Sequence, residues 1–134
     1  MQYLLDTNIC IFIIKQKPKT VLTKLRESIA SGIGLSSITL SELEYGVQKS
    51  SHVQHNAFNL LRFLILFEIL PYDESAAREY GKIRATLEKK GQLIGGMDML
   101  IGAHAKSISA TLVTNNIREF QRIEGLRVVD WTKI

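Results

Sequence analysis

Side chains that carry oxygen follow or flank the short apolar runs of this sequence at four separated places. These side chains are Asp6, Glu42, Asp98, and Asn116 with Glu119. Carboxylates that converge repel one another, and burial raises their pKa values unless a cation neutralises them. Oxygen ligands without cysteine or paired histidines suit Mg²⁺ or Mn²⁺ and disfavour zinc. Such an ion can activate water and stabilise charge on a phosphodiester, so the pattern indicates a hydrolytic site for nucleic acid.

Each of these carboxylates also has a purely structural explanation. The run Thr39-Leu40-Ser41-Glu42 has the spacing of a capping box, which would fully account for Glu42. An aspartate near a helix start, as predicted for Asp98, is favoured by the helix dipole. Asp6 can simply cap the helix that follows it, although the next two residues offer the same cap. The residues alone leave both explanations open.

The other residue types that often carry chemistry are expected to be structural. Cys10 is the one cysteine, so a disulfide framework is excluded. Because it lies in an apolar run, we expect it to be buried and to act as a small hydrophobic side chain. His104 lies on an apolar face and is predicted to be a core histidine, whereas His52 and His55 are expected to be solvated. We expect Trp131 to anchor an edge of the sheet.

Positive charge outweighs negative charge in the chain. There are 17 Lys and Arg residues against 13 Asp and Glu residues, a net charge of +4. This balance permits a polyanionic partner without requiring one. Lys15 and Lys17 follow the first predicted helix, and Arg118 and Arg122 lie beside the last acidic residues. These four are candidate contacts to RNA phosphates, and contact with water alone is the alternative.

The predicted elements explain how distant side chains would meet. Short strands are predicted at 3–5, 34–36, 68–70, 111–114 and 126–129. Between them, the spacing of apolar residues predicts helices ending near 14, and at about 18–30, 39–47, 53–67, 73–90, 97–107 and 118–123. Unalternating strands separated by helices indicate a mostly parallel sheet in a three-layer α/β/α sandwich. Ligands collect at the carboxyl ends of such strands, where the acidic residues are predicted to lie.

Length and hydropathy limit the remaining possibilities. A chain of 134 residues that is 46% hydrophobic and 22% charged predicts one domain over residues 1–134. Its longest apolar stretches, 9–14 and 63–67, fall far short of the roughly 20 residues of a membrane span. An aspartate at position 6 and no basic residue before Lys15 is the wrong order for a secretory signal, so we expect a cytoplasmic protein.

Four motifs, in order along the chain, resemble those of one protein family. They are Leu5-Asp6-Thr7-Asn8, Ser41-Glu42-Leu43-Glu44-Tyr45-Gly46, Gly96-Met97-Asp98-Met99-Leu100-Ile101, and Leu112-Val113-Thr114-Asn115-Asn116 with Arg118-Glu119-Phe120. Together they resemble the PIN-domain ribonucleases, and most closely the VapC toxins of bacterial toxin–antitoxin pairs. The resemblance spans nearly the whole chain.

The resemblance implies an activity, Mg²⁺- or Mn²⁺-dependent cleavage of RNA, and a set of site residues. Asp6, Glu42 and Asp98 match the first three acidic positions of the family and would hold the metal. The fourth position departs, because Asn116 stands where the family commonly has an acidic residue. Either Asn116 contributes a neutral oxygen or Glu119 reaches in as a catalytic carboxylate. The residues that would orient these groups are Thr7, Asn8, Thr114 and Asn116.

The resemblance also implies partners. VapC-like proteins are usually homodimers that a small VapB-like antitoxin inactivates by covering the active-site groove, and the combined complex binds operator DNA. The segment from Thr114 to Trp131 resembles the branch that cuts initiator tRNA in the anticodon loop. No membrane is involved.

Two further interpretations are open at this stage. A Mg²⁺-dependent phosphoryl-transfer domain also places aspartates at strand ends, but the phosphatases of that kind need a second aspartate where Asn8 stands. A PIN-like module that binds RNA or protein without cutting it is compatible with the departure at Asn116. No phosphate-binding or dinucleotide-binding glycine motif is present in the sequence.

Overall fold

The computed structural model describes residues 2–133, in which five strands form one parallel sheet in the order β3-β2-β1-β4-β5. The strands are β1 (Tyr3–Leu5), β2 (Ile33–Ser36), β3 (Glu68–Leu70), β4 (Thr111–Val113) and β5 (Val128–Val129). The α-helices are α1 (Thr7–Ile14), α2 (Lys19–Ser28), α3 (Ser37–Lys49), α4 (Val53–Leu64), α5 (Glu74–Lys89), α6 (Gly96–Ser107) and α7 (Ile117–Phe120).

Both faces of the sheet are covered, because successive residues of a strand point to opposite sides. Leu5 belongs to one hydrophobic core and its neighbour Leu4 to the other. The core around Leu5 takes its helical side chains from α1 to α4, and the core around Leu4 takes most of its helical side chains from α5, α6 and α7. The predicted three-layer sandwich is confirmed, and its sheet is parallel throughout.

The start of α3 differs from the prediction. The helix begins at Ser37, and its cap is Ser36, whose hydroxyl accepts a hydrogen bond from the Ile38 backbone N–H at 3.1 Å. Thr39 is therefore inside the first turn and buried, so the capping-box explanation of Glu42 is wrong. The reason is that β2 ends at Ser36, and the first residue able to cap is used as the chain leaves the sheet.

The apolar residues in and directly after α4 are divided between the core and the surface. Its buried residues are Leu60 and Phe63, whereas Phe58, Leu61 and Ile65 are 58%, 61% and 77% exposed. Helical spacing correctly predicted the element, although the helix ends at Leu64 and not near 67. The elements after β4 are shorter than predicted, α7 covering four residues and β5 two.

The residues expected to be structural are placed as predicted. Cys10 is fully buried, and His104 is 2% exposed. Trp131 is buried with its ring edge-on to Tyr3, at 5.5 Å between ring centroids, which ties the segment after β5 to β1. Among residues 2–133, no helix combines the length and the apolar character needed to cross a membrane.

Candidate active site

Asp6 lies where β1 ends and α1 begins, and it is 5% exposed. Its backbone N–H donates to the Val113 carbonyl at 3.0 Å, and its side chain caps α1 by accepting from the Ile9 N–H at 3.0 Å. Burial raises the pKa of Asp6 above its ordinary value, the nearby Thr114 hydroxyl and the Ile9 amide oppose the rise, and Glu42 adds to it. Asp6 thus caps α1, and its pKa is also raised by the negative charge of Glu42.

Glu42 reaches the same place from α3. Because β2 pairs directly with β1, the helix that follows β2 lies beside the beginning of α1. The Thr7 hydroxyl donates a hydrogen bond to Glu42 Oε1, although 35 positions separate the two residues. One oxygen of a half-buried carboxylate is thereby fixed in direction.

Asp98 is the third residue of α6 and approaches the site from the other side of the sheet. Its pKa is raised to about 6, first by burial and then by the negative charges of Glu119, Asp6 and Glu42. The carboxylates of Asp6, Glu42 and Glu119 therefore lie within electrostatic reach of Asp98, and the four form one group. We call this group the acidic cluster.

The fourth predicted position is divided between two residues of the segment that follows β4. Asn116 precedes α7 without a side-chain cap, and its backbone N–H donates to Thr114 Oγ1 at 2.9 Å. Glu119, one turn further, is the strongest charged neighbour of Asp98. Of these two residues, Glu119 is the one whose charge acts on Asp98.

No basic side chain of residues 2–133 pairs with the carboxylates of the acidic cluster. Across residues 2–133, no lysine, arginine or histidine lies within 4.0 Å of any of its four carboxylates. Three or more Asp, Glu, His or Cys side chains already arranged to hold one ion are also absent from this range. The donor set, carboxylate oxygens near the hydroxyls of Thr7 and Thr114, fits a hard divalent cation.

The predicted RNA-binding residues are placed differently from one another. Lys15 and Lys17 are exposed beyond the end of α1, and Arg118 is exposed on α7. The Arg122 guanidinium donates to the backbone carbonyls of Gln92 and Leu93, at 3.4 and 3.2 Å. The Arg122 side chain thus already has hydrogen-bond partners within the protein. Asn8, the second residue of α1, is exposed.

Two polar residues of this region were missed by the sequence analysis. Asp130 follows β5 and contributes to the raised pKa of Asp6, and its side chain accepts hydrogen bonds from Thr132. The available signal was its place after the fifth strand. Ser36, the cap of α3, forms a buried hydrogen bond with His104. Nothing in the sequence pattern pointed to that pairing.

A cavity of about 250 Å³ opens beside Glu42, between α1, α3 and α4. Its walls are mostly apolar, and its polar lining residues are Lys15, Glu42, Asn56 and Asn59.

Comparison with known proteins identifies the family. The model of the PIN domain family matches residues 3–126. The chain is 43% identical to the tRNA(fMet)-specific endonuclease VapC of Shigella flexneri, over 98% of this chain and 99% of that protein.

Solved structures agree with this assignment. The structure of VapBC2 from Rickettsia felis bound to a promoter DNA fragment is similar with a TM-score of 0.93 and 42% identity, covering 98% of this chain and 99% of that one. DNA-bound VapBC from Salmonella typhimurium has the same TM-score with 44% identity, over 98% of each chain. Nucleases with this domain generally depend on a divalent metal ion. The chain therefore belongs to the VapC family of PIN-domain ribonucleases.

Proposed function

We propose that this protein is the toxin of a bacterial toxin–antitoxin pair, an endoribonuclease that uses Mg²⁺, or Mn²⁺ in its place, to cleave initiator tRNA in the anticodon loop. Cleavage of that tRNA would inhibit translation. The observation that carries the proposal is the acidic cluster, in which the charges of Glu119, Asp6 and Glu42 act on Asp98 and, within residues 2–133, no lysine, arginine or histidine lies within 4.0 Å of the four carboxylates.

Within this proposal Asp6, Glu42 and Asp98 hold the metal ion. A bound ion would neutralise the carboxylates and stabilise the charge that develops on the phosphodiester. Thr7 fixes the direction of Glu42, and Thr114 lies against Asp6. Glu119 is the remaining carboxylate, and we assign it the removal of a proton from the attacking water.

Three exposed cations suit the RNA backbone, and two of them, Lys15 and Arg118, lie next to residues of the acidic cluster or of the adjoining cavity. Lys15 lies in the cavity wall beside Glu42, Lys17 follows it, and Arg118 lies next to Glu119 in α7. Contacts of this kind position a nucleic acid without reading its sequence. The choice of initiator tRNA rests on the relative from Shigella flexneri, whose name states that specificity.

The protein partner in this proposal is a VapB-like antitoxin, acting in the bacterial cytoplasm on a toxin homodimer. The structural relatives are VapBC complexes, two of them bound to DNA, which supports contact with operator DNA through the complex. Phe58 and Leu61 on the outer face of α4, with Ile65 directly after the helix, provide apolar surface of the kind that protein partners cover.

The test is incubation of purified, antitoxin-free protein with total bacterial tRNA in Mg²⁺, with fragments resolved on a denaturing gel. We expect discrete fragments from one tRNA, and we expect none with chelator or with Asp98→Asn. Glu44→Gln is the matched control, because Glu44 is an exposed carboxylate two residues from Glu42 and outside the acidic cluster. Intact RNA that the wild-type protein nevertheless binds would refute catalysis and support the binding-module interpretation.

A further inference from the structure

A buried hydrogen bond joins the beginning of α3 to α6. His104 Nδ1 lies 2.7 Å from Ser36 Oγ, and the two residues are 2% and 0% exposed. Over residues 2–133 this is the one side-chain hydrogen bond between the start of α3 and α6. A buried polar pair of this kind contributes less to stability than to specifying one arrangement of the elements it joins.

Either tautomer of a neutral His104 can form this hydrogen bond. Ser36 Oγ accepts one hydrogen bond from the Ile38 N–H, and it can still donate its own O–H to an unprotonated Nδ1 or accept a second bond from a protonated one. Burial lowers the pKa of His104, which favours the neutral ring. Tyr72 packs edge-on against the other side of the ring, at 5.8 Å between centroids, and limits its rotation.

The hydrogen bond lies at the same sequence separation from the acidic cluster on both sides. Glu42 is six residues after Ser36 on α3, and Asp98 is six residues before His104 on α6. Six residues correspond to about 9 Å along a helix. Ser36 at the start of α3 meets His104 near the end of α6, whereas the charge of Glu42, further along α3, raises the pKa of Asp98 near the start of α6. The two helices therefore run past each other in opposite directions, with the hydrogen bond at one level and the two carboxylates at the other.

The interactions at the two levels have opposite effects on the packing of α3 against α6. Glu42 and Asp98 repel each other, which favours separation or sliding of the helices at the level of the acidic cluster. The Ser36–His104 bond is attractive and directional, and it opposes that movement one level away. We propose that Ser36 and His104 are positioning residues, which hold α3 and α6 in the register that keeps Glu42 opposite Asp98 for metal binding.

This inference rests on the proposed metal site, and it is tested with Mn²⁺ binding to the antitoxin-free protein, measured by calorimetric titration. His104→Leu keeps most of the buried volume and removes the hydrogen bond. His104→Asn retains a polar atom near the position of Nδ1 and tests for rescue. Ser107→Ala removes the hydrogen bond that Ser107 Oγ donates to the His104 carbonyl, so it serves as a control for general weakening of α6.

We expect His104→Leu to weaken Mn²⁺ binding about tenfold, as loss of a group that orients metal ligands does. His104→Asn should recover most of that loss, and Ser107→Ala should bind as the wild type does. Thermal unfolding of each variant confirms that binding is measured well below the melting temperature. In a Glu42→Gln background, His104→Leu should change affinity by less than about twofold, because a residue that acts through Glu42 is not additive with it.

The outcomes separate the two proposals. If the wild-type protein binds no Mn²⁺, the metal site fails and this inference fails with it. If the wild type binds and His104→Leu binds equally well, the inference alone is overturned. An undiminished effect of His104→Leu in the Glu42→Gln background would likewise overturn it, since the histidine would then act by some other route.

Discussion

Thr7 and Glu42 are joined by a hydrogen bond that crosses from the first residue of α1 to the middle of α3. The hydroxyl donates and the carboxylate accepts, so the bond holds one Glu42 oxygen and leaves the other free for a ligand. Asp6, the residue before Thr7, belongs to the same acidic cluster. Thr7 is therefore hydrogen-bonded to one carboxylate of the cluster, that of Glu42, and adjacent in sequence to another, that of Asp6.

Replacing Thr7 with valine keeps the shape of the side chain and removes the donor. We expect the cleavage rate to fall about tenfold, since groups that orient metal ligands contribute on that scale. Thr7→Ser keeps the hydroxyl and should retain most of the activity. Initial rates on tRNA at saturating Mg²⁺ measure both variants. Equal rates for Thr7→Val and wild type would show that the orientation of Glu42 does not limit the reaction.

Asp98→Asn should stabilise the metal-free protein at neutral pH. The pKa of Asp98 is about 6 in the folded state against 3.8 ordinarily, so from about pH 4 to 6 the folded state keeps a proton that the unfolded chain releases. Folding stability from this group is therefore lost as pH rises through that range. After allowance for solvent screening we expect a gain of about 1 kcal/mol, or about 3 °C in Tm at pH 7.5.

Thermal unfolding in chelator at pH 7.5 and at pH 3 checks this expectation. The difference between Asp98→Asn and wild type should disappear at pH 3, where the aspartate is protonated in both states. Glu44→Gln, at an exposed carboxylate of α3, should leave Tm unchanged at either pH. A destabilised Asp98→Asn variant at pH 7.5 would contradict the raised pKa.

Metal binding should weaken in acid, because protons compete with the ion for Asp98. Below a pH of about 6 the carboxylate of the metal-free protein is mostly protonated, so each unit of further acidification should weaken binding by close to tenfold from this group alone. Mn²⁺ titrations at pH 5, 6 and 7 measure the slope. An affinity independent of pH over this range would exclude Asp98 as a ligand that binds in its ionised form.

Glu119 should matter more than Asn116. Glu119 is the strongest charged neighbour of Asp98, whereas the contact that positions Asn116 is made by its backbone N–H to Thr114. We expect Glu119→Gln to lower the cleavage rate about a hundredfold, in the range of a lost general base, and Asn116→Ala to lower it far less. The two single-turnover rates are the measurement. The reverse order would assign the fourth position of the site to the Asn116 amide.

The two arginines beside α7 form a matched pair for testing RNA contacts. Arg118 is exposed and makes no hydrogen bond to the residues described, while Arg122 donates to the carbonyls of Gln92 and Leu93. Arg118→Ala should weaken tRNA binding and reduce its salt dependence by about one phosphate contact. Arg122→Ala should leave the salt dependence nearly unchanged and lower Tm. Binding measured from 50 to 200 mM salt, in chelator, separates these effects.

The sequence was sufficient to predict those parts of the fold that depend on local spacing. Apolar runs without alternation predicted a parallel sheet, and the five strands lie close to the predicted positions. The capping box at Thr39 was wrong because sequence spacing does not show where a strand ends, and Ser36 reaches the cap first. The exposure of Phe58 and Ile65 was not predictable, since a helical stripe does not indicate what it faces.

For the site, the positions of Asp6 and Asp98 followed from the rule that ligands collect at the carboxyl ends of parallel strands. The sequence left Asn116 and Glu119 as alternatives, because spacing along the chain does not show which of them lies nearer to Asp98. The Ser36–His104 bond joins residues 68 positions apart and depends on the packing of α3 against α6. Pairings of that kind follow from the three-dimensional arrangement and leave no periodic signal.

The central place of β1, between β2 and β4, means that the acidic cluster is assembled from both sides of one strand. A growing polypeptide that has emerged only through β3 contains Asp6 and Glu42 but neither Asp98 nor Glu119. Its β1 edge also lacks the strand that positions the second pair. In a nascent chain the proposed site is therefore incomplete until β4 has docked against β1 and α7, which carries Glu119, has followed it.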